Sequence, residues 1–216
     1  MKKNSIIIYG CGGHGKVVLD ILLEAKENVL GFIDDDLKKK GKKINGFPVL
    51  GNWSVLTQNK SAKVALGIGN NDVRKNIYEK ASREGVGIAS AIHPKSVISR
   101  FAKIGKGVVI MAGAVINPSV TIEDGVVVNT GATVDHDCHL KRFCHIWPGA
   151  HLAGTVSVGE CSYIGTGAAV IQNINIGNCA MIGAGSVVIA DVPDHVTVAG
   201  VPTRILKKDK TCATKA

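Results

Sequence analysis

Aromatic side chains are scarce in this chain: Phe, Trp and Tyr make up 4% of 216 residues, against 26 glycines. A core with so few rings must be assembled from Val, Ile and Ala, and so much glycine points to tight, regular turns. The glycines follow no G-X-Y period, which excludes a collagen helix. No stretch approaches the ~18 to 20 consecutive apolar residues that cross a bilayer. The apolar run near the start, Ile6-Ile7-Ile8-Tyr9, is too short for the core of a secretory leader. The six cysteines, at 11, 138, 144, 161, 179 and 212, form no CxxC pair and no dense cluster, so neither a zinc ribbon nor a disulfide scaffold is expected. Reduced thiols and a cytoplasmic location without membrane insertion are the expectation. Hydrophobic residues at 45% and charged ones at 20% exclude wholesale disorder.

The formal charge of +9 is uneven: +6 over residues 1–90, −1 over 91–200 and +4 over the last sixteen. Its densest runs, Lys38-Lys39-Lys40-Gly41-Lys42-Lys43 and Lys207-Lys208-Asp209-Lys210, read as solvated loop and tail rather than as a nucleic-acid stripe. A field of this kind attracts small anionic substrates such as nucleotides.

A repeat dominates the second half. From Ile98, steps of six reach Ile104, Ile110, Ile116, Ile122, Val128, Val134, Leu140, Ile146, Leu152, Val158, Ile164, Val170, Ile176, Ile182 and Val188, sixteen aliphatic positions without a gap. Four residues after each stands a small or medium one, from Ala102 to Val192. This period predicts a solenoid of short parallel strands, three strands and three corners to each eighteen-residue coil, with the large residue and the small one both inward. Residues 98–193 make roughly five coils rising roughly 4.8 Å each. Gly105, Gly107, Gly113, Gly125, Gly131, Gly149, Gly159, Gly165, Gly167, Gly177, Gly183 and Gly185 are expected at corners with positive φ. The prism interior is too narrow for rings, which accounts for their scarcity.

The first ninety residues read differently. Ile6–Tyr9 is a buried strand, followed by Gly10-Cys11-Gly12-Gly13-His14-Gly15 and a helical apolar face over Lys16–Leu23. A second strand, Val29–Ile33, ends in Asp34-Asp35-Asp36. A third, Val64–Ile68, leads through Gly69-Asn70-Asn71-Asp72 into a helix over 73–83, with Asn71 or Asp72 as its cap. Glycines 10, 12 and 15 satisfy G-x-G-x-x-G in a strand–turn–helix setting. The unit is a Rossmann-like βαβαβ, half the size of a dinucleotide domain. It suits a mononucleotide or nucleotide-sugar whose diphosphate meets a helix N-terminus. Asp34 and Asp35 would accept from a ribose or base.

Four histidines, His136, His139, His145 and His151, fall within sixteen residues of the prism, and none stands at an inward position. The 136/139 spacing does not converge two imidazoles in a solenoid, so no metal is expected. Gly154, eighteen residues beyond His136, is predicted to leave space beside that ring for a substrate. His145 lies half a coil away on another face, so the two meet only across a subunit boundary, for which a trimer of three-sided prisms is the natural closed form.

The repeat resembles the hexapeptide-repeat acyltransferases, whose coil is a left-handed parallel β-helix. With the glycine-His turn, Ile33-Asp34-Asp35, Ile68-Gly69-Asn70-Asn71-Asp72-Val73-Arg74 and Val134-Asp135-His136-Asp137, nearly the whole chain resembles the UDP-4-amino-sugar N-acetyltransferases and the related sialic acid O-acetyltransferases. The resemblance implies an α/β unit over 1–90, an all-β left-handed helix over 91–206 and a basic tail over 207–216. It implies a cytoplasmic homotrimer with sites between subunits, acetyl-CoA as co-substrate, a UDP-amino-sugar acceptor, no metal and no nucleic acid. His136 matches the family's catalytic base. Asp137 matches the acid that supports it, where Glu is usual. His145, Asn129, Gly154, Thr166 and Ala184 match acetyl-CoA contacts, and Gly200–Arg204 matches the terminal segment beside the coenzyme. Gly12, Gly13, His14, Asp34, Asp35 and Gly69 match nucleotide-sugar contacts, with glycine at 12 where the family commonly has Ser. The alternatives are O-acetylation of sialic acid or another small hydroxyl acceptor, and a non-catalytic sugar-binding or assembly prism.

Overall fold

The computed structural model describes residues 5–59 and 61–208, which fall into two compact units, 1–94 and 95–216. The N-terminal unit is built from β1 (Ile6–Tyr9), α1 (Gly13–Glu24), β2 (Val29–Ile33), β3 (Lys43–Ile44), β4 (Phe47–Gly51), α2 (Ser54–Gln58), β5 (Lys63–Leu66), α3 (Asn71–Arg83) and β6 (Gly87–Ala89). Its sheet runs β3-β4-β2-β1-β5-β6, parallel except for the β3–β4 hairpin. The all-aliphatic start of β1 suits a strand that is buried throughout. Because β2 lies on one side of β1 and β5 on the other, the strand order reverses at β1, and the ends of β1 and β5 open a crevice suited to ligands.

The sheet has six strands rather than the three expected, because β3 has only two residues and β4 and β6 carry Gly or Pro, which hides their periodicity. Helix α3 starts earlier than the apolar pattern suggests. Asn70 caps it, its side chain accepting from the Val73 amide at 3.0 Å, whereas Asn71 is fully buried and accepts from Arg74. The basic run is not wholly solvated loop: Leu37–Lys39 form a 3-10 turn, and Lys39 reaches Asp34 at 3.0 Å.

In the second unit the strands stack in three parallel ladders with an eighteen-residue offset, as in Val115↔Thr133, Thr121↔His139 and Val127↔His145. The inward aliphatics from Ile110 to Val188 are essentially inaccessible, each contributing about 1.5 to 3 kcal/mol. The corners repeat as strictly as the core. The third corner residue takes a left-handed conformation at Gly107, Gly113, Ser119, Gly125, Gly131, Asp137, Phe143, Gly149, Thr155, Cys161, Gly167, Asn173, Cys179 and Gly185, with φ between +51° and +70°. Gly105, Gly159, Gly165, Gly177 and Gly183 are not among them. There glycine is required by close approach: a Cβ on Gly165 would lie 2.5 Å from the Ile182 carbonyl oxygen of the next coil.

A hairpin of Val196–Ala199 and Arg204–Lys208 ends the described chain, so Lys207 and Lys208 belong to an exposed strand. The rest of the basic tail and Cys212 lie outside the described residues. Cys11, Cys138, Cys144 and Cys161 are buried free thiols. Cys179, at a half-exposed corner, is disulfide-bonded, which corrects the expectation of reduced thiols throughout.

Candidate active site

The glycine turn after β1 is shaped by backbone approach. A Cβ on Gly15 would sit 2.0 Å from the Gly10 carbonyl oxygen, and one on Gly67 would sit 2.8 Å from it. Gly12 and Gly13, by contrast, face open space, so the first turn of α1 is accessible to a ligand. His14 lies against Gly69, with ring atoms 3.9 Å from where a Gly69 Cβ would stand. Burial, and then the Arg74 guanidinium, push its pKa down to about 4, so the imidazole is neutral at pH 7. Arg74 is fully buried and ties the Gly69 loop by donating to the carbonyls of Ile68 and Gly69 at 3.2 and 3.1 Å. Gly12, Gly13, His14 and Gly69 thus gather at the ends of β1 and β5.

The two acids at the end of β2 are already engaged. Asp34 accepts from the Cys11 amide at 3.2 Å, the Asp36 amide at 3.0 Å and Lys39, holding the glycine turn to the end of β2. The donors around it keep its carboxyl below the usual range against the opposing effect of burial. Asp35 accepts from the Tyr9 hydroxyl. Neither carboxylate is idle.

His136 occupies a corner of the coil. The left-handed turn at Asp137 folds that carboxylate back so that its Oδ2 lies 2.8 Å from His136 Nδ1, though adjacent side chains on a strand would point apart. Asp135 is turned the other way, accepting from the His136 amide at 2.8 Å and from Asn117 Nδ2 at 2.7 Å. The bond to Asp137, then the charge of Asp135, raise the His136 pKa above its ordinary value. The ring lies over Gly154, where a Cβ would be 2.7 Å from Nε2. The missing side chain is therefore filled by the imidazole itself, which corrects the expectation of vacant space beside it.

On another edge of the prism, Asn129 at a corner and His145 at the start of the strand His145–Ile146 on the next coil have Nδ2 and Nε2 3.2 Å apart. His145 faces outward as expected, yet it is buried, because Trp147 and Tyr163 pack against it with ring centroids 6.0 and 6.2 Å away. The aliphatic repeat does not single out these two rings, although the eighteen-residue step from His145 to Tyr163 could have revealed them. Thr166 and Ala184 are exposed on the following coils of the same corner. One chain does not bring His136 and His145 together. Among the described residues no cluster of His, Cys, Asp and Glu is placed to hold a metal, and no helix is long and apolar enough to cross a membrane.

A parallel β-helix with a six-residue period, carrying an imidazole–carboxylate pair on one corner, defines a hexapeptide-repeat acyltransferase. Residues 101–136 match the family described as bacterial transferase hexapeptide (six repeats), and residues 5–81 match the PglD N-terminal domain. The chain is 32% identical to GDP-perosamine N-acetyltransferase of Escherichia coli O157:H7 over 94% of its length and 97% of the relative. It is 37% identical to UDP-N-acetylbacillosamine N-acetyltransferase of Bacillus subtilis (strain 168), over 50% of its length and 51% of that protein. Among solved structures, the acetyltransferase domain of PglB from Neisseria gonorrhoeae FA1090 superposes with a TM-score of 0.87 at 41% identity, covering 94% of this chain and all of that one. A His-to-Ala variant of GDP-perosamine N-acetyltransferase from Caulobacter crescentus, in complex with CoA and GDP-perosamine, superposes with a TM-score of 0.90 at 39% identity, covering 94% and 97%. The chain belongs to this family of left-handed β-helix sugar N-acetyltransferases.

Proposed function

We propose that this chain moves the acetyl group of acetyl-CoA to the amine of a nucleotide-linked 4-amino-sugar in bacterial surface-glycan synthesis, with His136 as general base. The observation that carries the reading is the His136–Asp137 pair over Gly154. With Nδ1 held by Asp137, Nε2 is the nitrogen left for a substrate. The amine attacks the thioester carbonyl, His136 Nε2 takes its proton, and the coenzyme leaves as the thiol. Asp137 supports the imidazolium that forms. Asn129 or His145, at the other corner, donates to the oxyanion of the tetrahedral intermediate.

Gly12, Gly13, His14 and Gly69 would receive the diphosphate and sugar, with Asp34 shaping the turn rather than meeting the ligand. The relatives are named for both guanosine- and uridine-linked sugars. The UDP form is the first expectation, and parallel titrations with UDP- and GDP-amino-sugars decide it. Because the two catalytic corners lie on different edges of one prism, a homotrimer packed side by side supplies both to each site. A fully active monomer in solution would overturn that arrangement.

His136→Ala is expected to lower kcat by ~10² to 10⁴-fold, the usual worth of a positioned base. A rate within threefold of the parent removes His136 from this role. A base must be neutral, so kcat should rise with pH through a pKa above that of an ordinary histidine, since Asp137 favours the protonated ring. Asp137→Asn should move that midpoint to lower pH, as read from the pH–rate profile.

A further inference from the structure

In a coil with little room for rings, Trp147 stands at a particular place. Strand register lines up Met111, Asn129, Trp147, Gly165 and Gly183 as the first corner residue of successive coils. On one side of Trp147 is Asn129, bonded to His145. On the other, Gly167 and Gly185 of the same corner, where a Cβ would meet nothing within 4 Å, leave a bare strip, with Thr166 and Ala184 exposed beside it. Trp147 closes the head of that strip, its ring 5.8 Å from Tyr163 and 6.0 Å from His145. Its indole Nε1–H is shut off from solvent and has no acceptor among the described residues. A buried N–H without an acceptor is costly and uncommon, and an acceptor carried in by a ligand would relieve it. The neighbouring groups, His145, Tyr163 and Asn129, carry no permanent charge, which suits a neutral carbonyl oxygen better than a phosphate.

We propose that Trp147 is a binding residue for the acyl donor, its indole N–H donating to an amide or thioester carbonyl oxygen of the coenzyme's pantetheine arm as the arm runs along the Gly185–Gly167 strip toward Asn129 and His145. The inference rests on the reading of this corner as the acetyl-CoA side of the site. Loss of one such bond, with the ring kept, weakens binding by ~3- to 10-fold.

The chain contains two tryptophans, so Trp53→Phe leaves Trp147 as the single indole reporter. Its emission should change on titration with CoA and stay constant with adenosine 3′,5′-bisphosphate, which lacks the arm. Trp147→Phe should raise the Kd for acetyl-CoA, measured by calorimetry, by ~3- to 10-fold while the elution volume on gel filtration is unchanged. Unaltered emission with saturating CoA, or equal affinity in Trp147→Phe, overturns the proposal and leaves the donor site intact. A Trp147→Phe protein that binds the coenzyme normally but changes its assembly assigns the indole to a subunit contact instead. Failure of the parent protein to bind CoA at all overturns the donor-site reading and this proposal together.

Discussion

The left-handed corners of the coil and the glycine turn of the N-terminal unit use glycine in opposite ways. In the coil, the left-handed corner position recurs fourteen times, and half of its occupants are Ser, Asp, Phe, Thr, Cys or Asn. The backbone dictates the conformation there, and residues other than glycine bear a strain of ~1 to 2 kcal/mol at a position supported by the coils on either side. In the N-terminal unit, glycines such as Gly15 and Gly67 are imposed by one particular atom, the Gly10 carbonyl oxygen. A repeated architecture therefore leaves its corners free for chemistry, and His136-Asp137 is such a corner. A tight turn leaves freedom only where nothing approaches, at Gly12 and Gly13.

The largest test of this contrast falls on Gly154, a coil glycine over which the His136 ring lies. In Gly154→Ala the new methyl would meet His136 Cε1 and Nε2 at 2.6 and 2.7 Å, so the imidazole must swing away while the backbone stays. Misplacement of a base by about 1 Å costs ~10²-fold. The expected result is a kcat lowered by about that factor with an unaltered melting temperature. A fully active variant would show that the ring position seen here is not the working one.

Next in size is Gly15→Ala. Its methyl would press on a backbone oxygen, which yields far less readily than a side chain, and overpacking of this kind costs ~1 to 3 kcal/mol. Thermal unfolding should register the loss, accompanied by weaker nucleotide-sugar binding. A neutral substitution would mean that the turn can re-form around a side chain and that the contrast between corner and turn is false.

The same contrast explains what could be read in advance. Sixteen aliphatics at strict intervals made the coil legible, because its only long-range rule is to stack like on like. The positions of His136 and Gly154 followed from the same arithmetic. Arithmetic could not supply the direction in which a side chain leans, so the imidazole over Gly154 and the burial of an outward-facing His145 emerged only in three dimensions. It also could not choose between Asp135 and Asp137, a choice made by the left-handed turn at Asp137. In the N-terminal unit, Ile6–Tyr9 and its glycine turn were plain, but β4 and β6 were not, being defined by pairing with distant strands rather than by local pattern. Asp34 was expected at a ligand. In the structure it accepts from Cys11, Asp36 and Lys39, partners that no spacing rule announces.

The smallest expected effect is the sharpest test of tolerance at the corners. Gly113 has φ +70°, and a Cβ there would find its nearest neighbour 3.8 Å away, an ordinary contact. Asn173 holds the equivalent position on a different corner at φ +63°, and Asn enters the left-handed region more readily than most residues. Gly113→Asn should therefore change unfolding stability by under ~1 kcal/mol, whereas Gly113→Val, branched at Cβ, should cost clearly more. Equal losses for Asn and Val would mean that space rather than backbone conformation governs the corner. The Ser, Asp, Thr and Asn found along the neighbouring column would then owe their places to local packing, and the freedom that lets one corner carry His136 and Asp137 would be particular to that corner.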